Sequence, residues 1–462
     1  MNLFRTKSIE QLQTAAATSG MVKSLGALDL VLLGIGCVIG TGIFVLTGVA
    51  AAKYAGPAVT VSFVLSGLAC ALAGLAYAEF SSIVPASGSA YTYTYASLGE
   101  FIAFIVGWNL ILEYTVTASA VASGWSGYVT GLMLSAGIDL PHALTHVPAD
   151  GGVINLPAIF ITLLLSFFLI HGTQESARLN RILVFIKLAA VFLFLLLAAP
   201  HVDPANWEPF MPFGFSGVSA GAAVIVFAYL GVDSIATAAE ETKNPAHDMP
   251  TGIIASLLIC TVLYIAVTAV MTGNVPYTEL DNAEPVAFVL RQLGYRFGSA
   301  LVGTGAIAGL TTVLLVMMYA QTRAFFAMSR DGLIPQSICK VHPHFATPHR
   351  ITIIVGLAVA VISGFTPINV IAEMCSVGTL FAFIVSSVGV MIMRKKYPDL
   401  ARPFRCPAIY VVGTLAIVSC GYIMYNLSSM TWERFWIWSA LGILVYFLYG
   451  YRHSRENKQG EA

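Results

Sequence analysis

Charge is scarce in this chain. Only 10% of its 462 residues are charged and 57% are hydrophobic, whereas soluble domains carry about 25% charged residues. That excludes an ordinary soluble protein and points to an integral membrane protein. An excess of one sign is missing as well. Lys+Arg and Asp+Glu are both 23, so the balance offers nothing to a nucleic acid. Cysteine is sparse, with five of seven in apolar runs (Cys37, Cys70, Cys260, Cys375, Cys420) and two in basic loops (Cys339, Cys406). No disulfide framework or metal spacing results, and these thiols read as small packing residues. There is no HExxH, no Ser/His/Asp set, no pair of catalytic acids and no phosphate-binding glycine loop. His142 and His171 stand alone. An enzyme and an ATP-driven pump are therefore both disfavoured, and no cofactor or metal is expected. Residues 1–23 are polar and lack a cleavable apolar core, so no signal peptide is expected.

What the chain has instead is long apolar runs. Length and apolarity give twelve spans, at about 28–52, 58–82, 98–133, 156–172, 180–199, 217–242, 251–273, 298–328, 351–365, 368–393, 409–427 and 435–451. With the N-terminus inside, eighteen of the 23 Lys and Arg fall at the inner face and four outside (Lys53, Arg291, Arg296, Arg434), while Lys187 lies within a span. This positive-inside bias predicts a multi-pass plasma-membrane protein with both termini cytoplasmic. The expected organisation is an N-terminal segment 1–27, a first five-helix repeat 28–199, a second 217–393, a basic loop 394–408, two further helices over 409–452 and a tail 453–462.

Two spans are poor continuous helices. The first carries Gly34, Gly36, Gly40 and Gly42, each costing about 1 kcal/mol against alanine. The sixth carries Gly231 and Asp233 in mid-span. Unwound backbone at membrane depth is tolerated where it lines a cavity, and interrupted segments that open two successive halves point to a transporter site. A small-residue packing face, with Gly36 and Gly40 as a GxxxG pair, is the other reading of the first stretch. Two breaks in matching positions favour the site. Spans 1–5 and 6–10 would then be repeats of opposite topology.

Several stretches together resemble one family. Gly34-Ile35-Gly36-x-Val38-Ile39-Gly40-Thr41-Gly42-Ile43-Phe44 is similar to the first-helix signature of the amino acid–polyamine–organocation (APC) superfamily. Phe227-Ala228-Tyr229-x-Gly231-x-Asp233 is similar to its sixth-helix signature, and Glu240-Glu241-Thr242-x-Asn244-Pro245 to the stretch that follows. Ser329-Arg330-Asp331-Gly332 resembles the segment after helix 8. Asn109 to Tyr114 and Arg394-Lys395-Lys396 through Arg402-Pro403-Phe404 look most like the cationic amino acid transporter branch and its bacterial homologues of the ApcT type. Animal members of that branch carry extra C-terminal spans. The resemblance implies an all-α, LeuT-like fold of twelve transmembrane helices in a 5+5 inverted repeat, with helices 1 and 6 discontinuous.

The site can be argued physically. The N–H groups of Gly40, Thr41 and Gly42 open the outer half of span 1, where the helix dipole favours an anion; they are the expected cradle for a substrate carboxylate. The carbonyls of Ile35, Gly36, Phe227, Ala228 and Leu230 would accept the protons of its ammonium. Ile39, between the two groups in the first-helix signature, completes the expected contacts. The resemblance makes Phe227 the aromatic gate, which otherwise is a packing aromatic. Met317, midway along span 8, would shorten the pocket and favour small neutral side chains; otherwise it and Met318 are packing residues. Lys187 lies about 10 Å into span 5, where it either snorkels to the inner face or has a buried role. The resemblance implies the latter: an ammonium where sodium sits in the LeuT type, binding the freed carbonyls near Gly34 or Gly36 and coupling transport to protons. Glu113 and Asp233 are the deeper acids and candidate charge relays, whereas Glu79 and Glu373 lie near span ends, within reach of water.

The expected function is secondary active import of L-amino acids by alternating access, proton-coupled, with small neutral substrates favoured over cationic ones. The alternatives are an exchanger or a cationic amino acid or polyamine carrier; a polyamine lacks the carboxylate for which the glycine cluster is suited. Substrate, protons and membrane lipids are the expected partners.

Overall fold

The computed structural model describes residues 3–10, 12, 23–83, 89–171, 177–231, 235, 236, 238–340, 342 and 347–455. Among them the only strand-like contact is one isolated bridge, Leu25 to Thr242. The helices of eight residues or more are α1 (Ala27–Val38), α2 (Val59–Ile83), α3 (Ser89–Ser97), α4 (Glu100–Ser135), α5 (Leu156–Ile170), α6 (Ala177–Ala198), α7 (Gly214–Ile225), α8 (Pro245–Asn274), α9 (Pro285–Gln292), α10 (Arg296–Arg330), α11 (His349–Phe365), α12 (Ile368–Lys396), α13 (Ile409–Tyr425) and α14 (Ser429–Val445). Proline sits in the first turn of α5, α8 and α9, where its missing N–H costs nothing. Sequence reasoning did not anticipate α3 or α9.

Six helical runs are long and apolar enough to cross a membrane, or seven if α13 and the helix after it, which meet at 113°, count as one bent span. Four shorter apolar helices accompany them: α1, α5, α11 and Gly214–Tyr229. Two of these four are short because their spans are broken, at residues 39–40 and after Tyr229.

The faces follow helix periodicity but with polarity inverted relative to a soluble protein. Helix α5 buries Ala158, Ile161, Thr162, Leu165, Ser166 and Leu169 and exposes Phe160, Leu163, Leu164, Phe167 and Phe168. Its two hydroxyls bond their own backbone, Thr162 to Ala158 O at 2.8 Å and Ser166 to Thr162 O at 2.7 Å, which satisfies them in a dry interior.

Two packed groups result. Helix α8 lies against α1 and α2, and α2 packs on α7. Helix α10 lies against α4, and α11 against α5. Helices α6 and α12 touch both groups, α6 through α1 and α10, α12 through α2 and α4. The breaks of the first group face α4 and α10 of the second, and α12 between them.

Candidate functional site

The first break is short. Helix α1 stops at Val38, Ile39 is extended (ψ 97°), and helical backbone resumes at Thr41 and runs through a wide turn at Gly42–Leu46. The ladder restarts with Phe44 N–H donating to Gly40 O at 3.2 Å, so residues 40–43 supply the unladdered N–H groups of a new helix end. At the second break α7 gives way to one tight turn, Val226–Tyr229, and Leu230 is extended (ψ 146°). Gly231 follows at φ +103°, a left-handed conformation that favours glycine.

The two breaks touch. A Cβ on Gly42 would lie 2.4 Å from Ala228 Cα, and one on Gly231 would lie 2.6 Å from Cys37 Cβ. Glycine is needed at both positions because the segments flanking the two breaks rest directly on one another.

The freed carbonyls have identifiable donors. Lys187 Nζ donates to Gly36 O at 2.5 Å and is fully buried. Room for its stem comes from α10, where a Cβ on Gly309 would come within 2.7 Å of Lys187 Cγ. Tyr264 of α8 points its hydroxyl at both breaks, 2.7 Å from Val38 O and 2.8 Å from Ala228 O. Ile35 O accepts Ile39 N–H at 2.9 Å, and Phe227 O accepts Leu230 N–H at 3.2 Å. Thr41 Oγ1 is buried beside Gly124 of α4 and has no hydrogen-bond partner among the described residues. A buried hydroxyl without a partner is costly, and this one lies among the first-turn N–H groups where an anion is best held.

Sequence reasoning missed Val38 and Tyr264. A signal for the tyrosine was present: a phenol in mid-span must find a partner when buried, and Tyr264 lies well inside the run 251–273. Thr311 and Thr312 bond their own helix, to Ile307 O and Gly309 O at 2.8 Å each.

Phe227 sits in a small apolar cluster apart from the main core. The same cluster holds Leu46 and Val49 beyond the first break, Leu112, Val116 and Ala120 of α4, and Ile371 and Met374 of α12. Met317 is buried in the main core, and one turn further along α10 Gln321 donates to Ile111 O at 3.3 Å and to the Thr115 hydroxyl. Glu113 is buried on α4, with Thr379 Oγ1 donating to Glu113 Oε1 at 2.8 Å. Asp233 lies outside the described residues.

The span-end acids are not solvated as the sequence suggested. Glu79 is fully buried and receives Arg394 (2.9 and 2.6 Å), Arg402 (3.3 Å) and the Cys406 N–H (2.8 Å). The loop after α12 folds over it, and burial pushes the Cys406 thiol up to about 11. Glu373 accepts hydrogen bonds from Thr431 (2.6 Å), Ser428 and Tyr54 (3.4 Å). A charge near a helix end still finds a protein partner when the neighbouring loop can reach it.

The two ends of the site differ. Beyond Val45 and Val49 opens a cavity of about 320 Å³, lined also by Lys53, Ser123, Asn155 and Asn369. The opposite end is sealed. Lys7 Nζ lies 2.6 Å from Asp331 Oδ1, Tyr91 donates to Asp331 Oδ2 at 2.6 Å, and Arg455 N–H donates to Asp331 O at 3.1 Å. Glu100, one turn from the same seal, takes Tyr95 at 2.8 Å, Tyr446 at 2.9 Å and Ser454 at 2.5 Å.

Comparison with known proteins identifies the family. The profile of the family described as "Amino acid permease" matches residues 25–448. The chain is 50% identical over 465 residues to the branched-chain amino acid permease BcaP of Bacillus subtilis, covering 99% of each. It is 49% identical over 459 residues to the methylthioribose transporter of the same organism, covering 99% of this chain and all of the other. Human cationic amino acid transporter 4 is 30% identical over 577 residues, covering 98% of this chain and 91% of that protein. The chain belongs to the amino acid permease family of the APC superfamily and is a membrane transport protein rather than an enzyme.

Proposed function

We propose that this chain is a secondary active transporter that brings neutral L-amino acids, small to mid-sized and apolar in side chain, across the plasma membrane in company with protons. The observation that carries the reading is the contact of the two breaks, with a lysine ammonium on the carbonyl of Gly36 and a buried Thr41 hydroxyl that has no hydrogen-bond partner among the described residues. The N–H groups of Gly40, Thr41 and Gly42 hold the substrate carboxylate. Its ammonium goes to the carbonyls of Leu230, Ala228 and Phe227 and to those of Ile35, Gly36 and Ile39 at the end of α1. Lys187 carries the coupled proton, and Glu113 and Asp233 are the secondary relay groups. Phe227 is the gate.

The apolar cluster around Phe227 supports an uncharged side chain, as do the names of two relatives, both branched-chain amino acid permeases, at 50% and 36% identity. The lower-identity cationic transporters motivate the second reading, a carrier of basic amino acids in which Glu113 contacts the side chain. In the proposed arrangement the chain makes twelve passes as a LeuT-like 5+5 inverted repeat, repeats 28–199 and 217–393. Gly56–Ala58 turns the first pass into the second. Both termini are cytoplasmic, so the cavity end is outward-facing and the sealed end inward-facing, and exposed faces such as that of α5 meet lipid.

The test is uptake into proteoliposomes of labelled L-alanine, L-leucine and L-arginine, with and without an inward proton gradient, in the absence of sodium. Gradient-driven accumulation of alanine or leucine is expected. Arginine accumulation alone selects the second reading. Movement only against a preloaded amino acid makes the chain an exchanger and overturns the proton coupling.

A further inference from the structure

One hydroxyl reaches both breaks, and its chemistry is constrained. Tyr264 is fully buried, and its ring is held by Phe63 (centroids 5.2 Å apart) and Tyr229 (5.5 Å). A phenol has one proton to donate, yet Val38 O and Ala228 O lie 2.7 and 2.8 Å from its oxygen. The two carbonyls belong to different half-helices, the last residue of α1 and the tight turn after α7. At any moment the proton lies on one carbonyl or is shared, and the two oxygens, both within 2.8 Å of one hydroxyl, keep lone pairs that it does not use.

We infer that Tyr264 is a positioning residue for the substrate ammonium. Its hydroxyl fixes the peptide planes of Val38 and Ala228 so that both carbonyls converge where the ammonium docks, and it adds Val38 to the acceptors of the proposed site. The inference rests on the reading of the breaks as an amino acid site. It names a contact the sequence did not suggest, because neither Val38 nor Tyr264 lies among the glycines.

The opposing effect is competition: the hydroxyl occupies lone pairs an ammonium also wants. Positioning outweighs it for a structural reason. Each carbonyl offers two lone pairs, so one proton shared between two oxygens leaves most of the accepting capacity open. Without the hydroxyl, the two oxygens lack a donor among the described residues. The Val38 peptide plane is then held on its N–H side alone, by Ile39 N–H on Ile35 O at 2.9 Å, so the two carbonyls tilt towards other donors and the convergence is weakened.

The experiment compares an amino acid with its des-amino analogue, by competition binding to the purified full-length transporter: L-leucine against 4-methylpentanoate and L-alanine against propanoate. Tyr264→Phe keeps the ring and removes the proton. The expected result is an amine preference reduced about tenfold or more, the order of one hydrogen bond to a charged group. Affinity for the des-amino acid and the melting temperature stay close to wild type. A purely packing role lowers both affinities together and overturns the inference. An unchanged amine preference overturns it as well, and so does tighter amine binding, which would make the hydroxyl a mere competitor. If the wild type itself shows no amine preference, the amino acid site reading fails first. Should Tyr264→Phe not fold, Tyr264→Met, a flexible filler without a strong donor, carries the same comparison.

Discussion

Replacing Lys187 with methionine keeps an unbranched stem in the groove beside Gly309 and removes the ammonium from Gly36 O. The size of the effect follows from the bond. A hydrogen bond from an ionised donor contributes about 1.5–3 kcal/mol and one from a neutral donor about 0.5–1.5 kcal/mol. Loss of the lysine proton therefore weakens the hold on α1 by about 1–1.5 kcal/mol, roughly a 5- to 13-fold shift towards its release. This is the coupling free energy one proton can exert through this contact. Lys187→Met removes the bond whatever the pH and leaves Gly36 O without its donor.

The expected outcome is loss of pH-driven accumulation in proteoliposomes, with counterflow exchange retained at a reduced rate. Exchange needs the site and the two conformations but not the proton. Lys187→Ala should behave alike, with a further loss of stability from the cavity beside Gly309. If Lys187→Met accumulates amino acid with the pH dependence of the wild type, Lys187 is a structural cation and the proton enters elsewhere, Glu113 being the next group to test.

Three further outcomes are expected. Met317→Ser lengthens the pocket and admits longer or basic substrates; uptake profiles for alanine, arginine and lysine that match wild type would refute the pocket assignment. Asp331→Asn unlocks the sealed end, because Lys7 loses its counter-charge; a partly buried pair of this kind contributes a few kcal/mol when one partner is removed, so alkylation of Cys37 should accelerate and the melting temperature fall. Cys406, whose thiol is pushed to about 11 by burial and then by Glu79, is nearly all thiol at pH 8. Its labelling by maleimide should be about a hundredfold slower than that of an ordinary cysteine near 9 and rise as pH approaches 11, and rapid labelling at pH 8 would refute the buried loop.

The backbone breaks of the candidate site were legible because glycine is informative in membrane helices. Four glycines in span 1 and Gly231 in span 6 located both breaks, and Gly42 and Gly231 are the positions where the two backbones touch. An ammonium in span 5 announced itself by its cost. The hydrogen-bond partners were harder to read. Tyr264 looked like one aromatic among many, since nothing in its neighbourhood marks which carbonyls it reaches 36 and 226 residues away. The seal was invisible for a similar reason: Lys7, Tyr91, Glu100 and Ser454 come from separate stretches of ordinary polar sequence, and the motif that holds Asp331 does not show which of them it meets. Glu79 and Glu373 were misread because distance from a span end predicts solvation only when no loop folds back over the residue.

The end of α1 then joins the two cargoes of the proposed cycle. A helix C-terminus carries roughly half a negative charge on its last carbonyls. Here Gly36 O faces the Lys187 ammonium, and Val38 O faces the Tyr264 hydroxyl beside the proposed ammonium site. A proton on Lys187 and a bound substrate each add positive charge to this one terminus, from opposite sides. Each therefore stabilises α1 in its docked position, and each must strengthen the other, since coupling between two ligands of one element is reciprocal. Proton loss from Lys187 weakens α1 while substrate is still bound, which is the order an importer needs at its inner face. Substrate affinity must then fall as the pH at Lys187 rises. In Lys187→Met that dependence should vanish, leaving an affinity close to that of the deprotonated wild type.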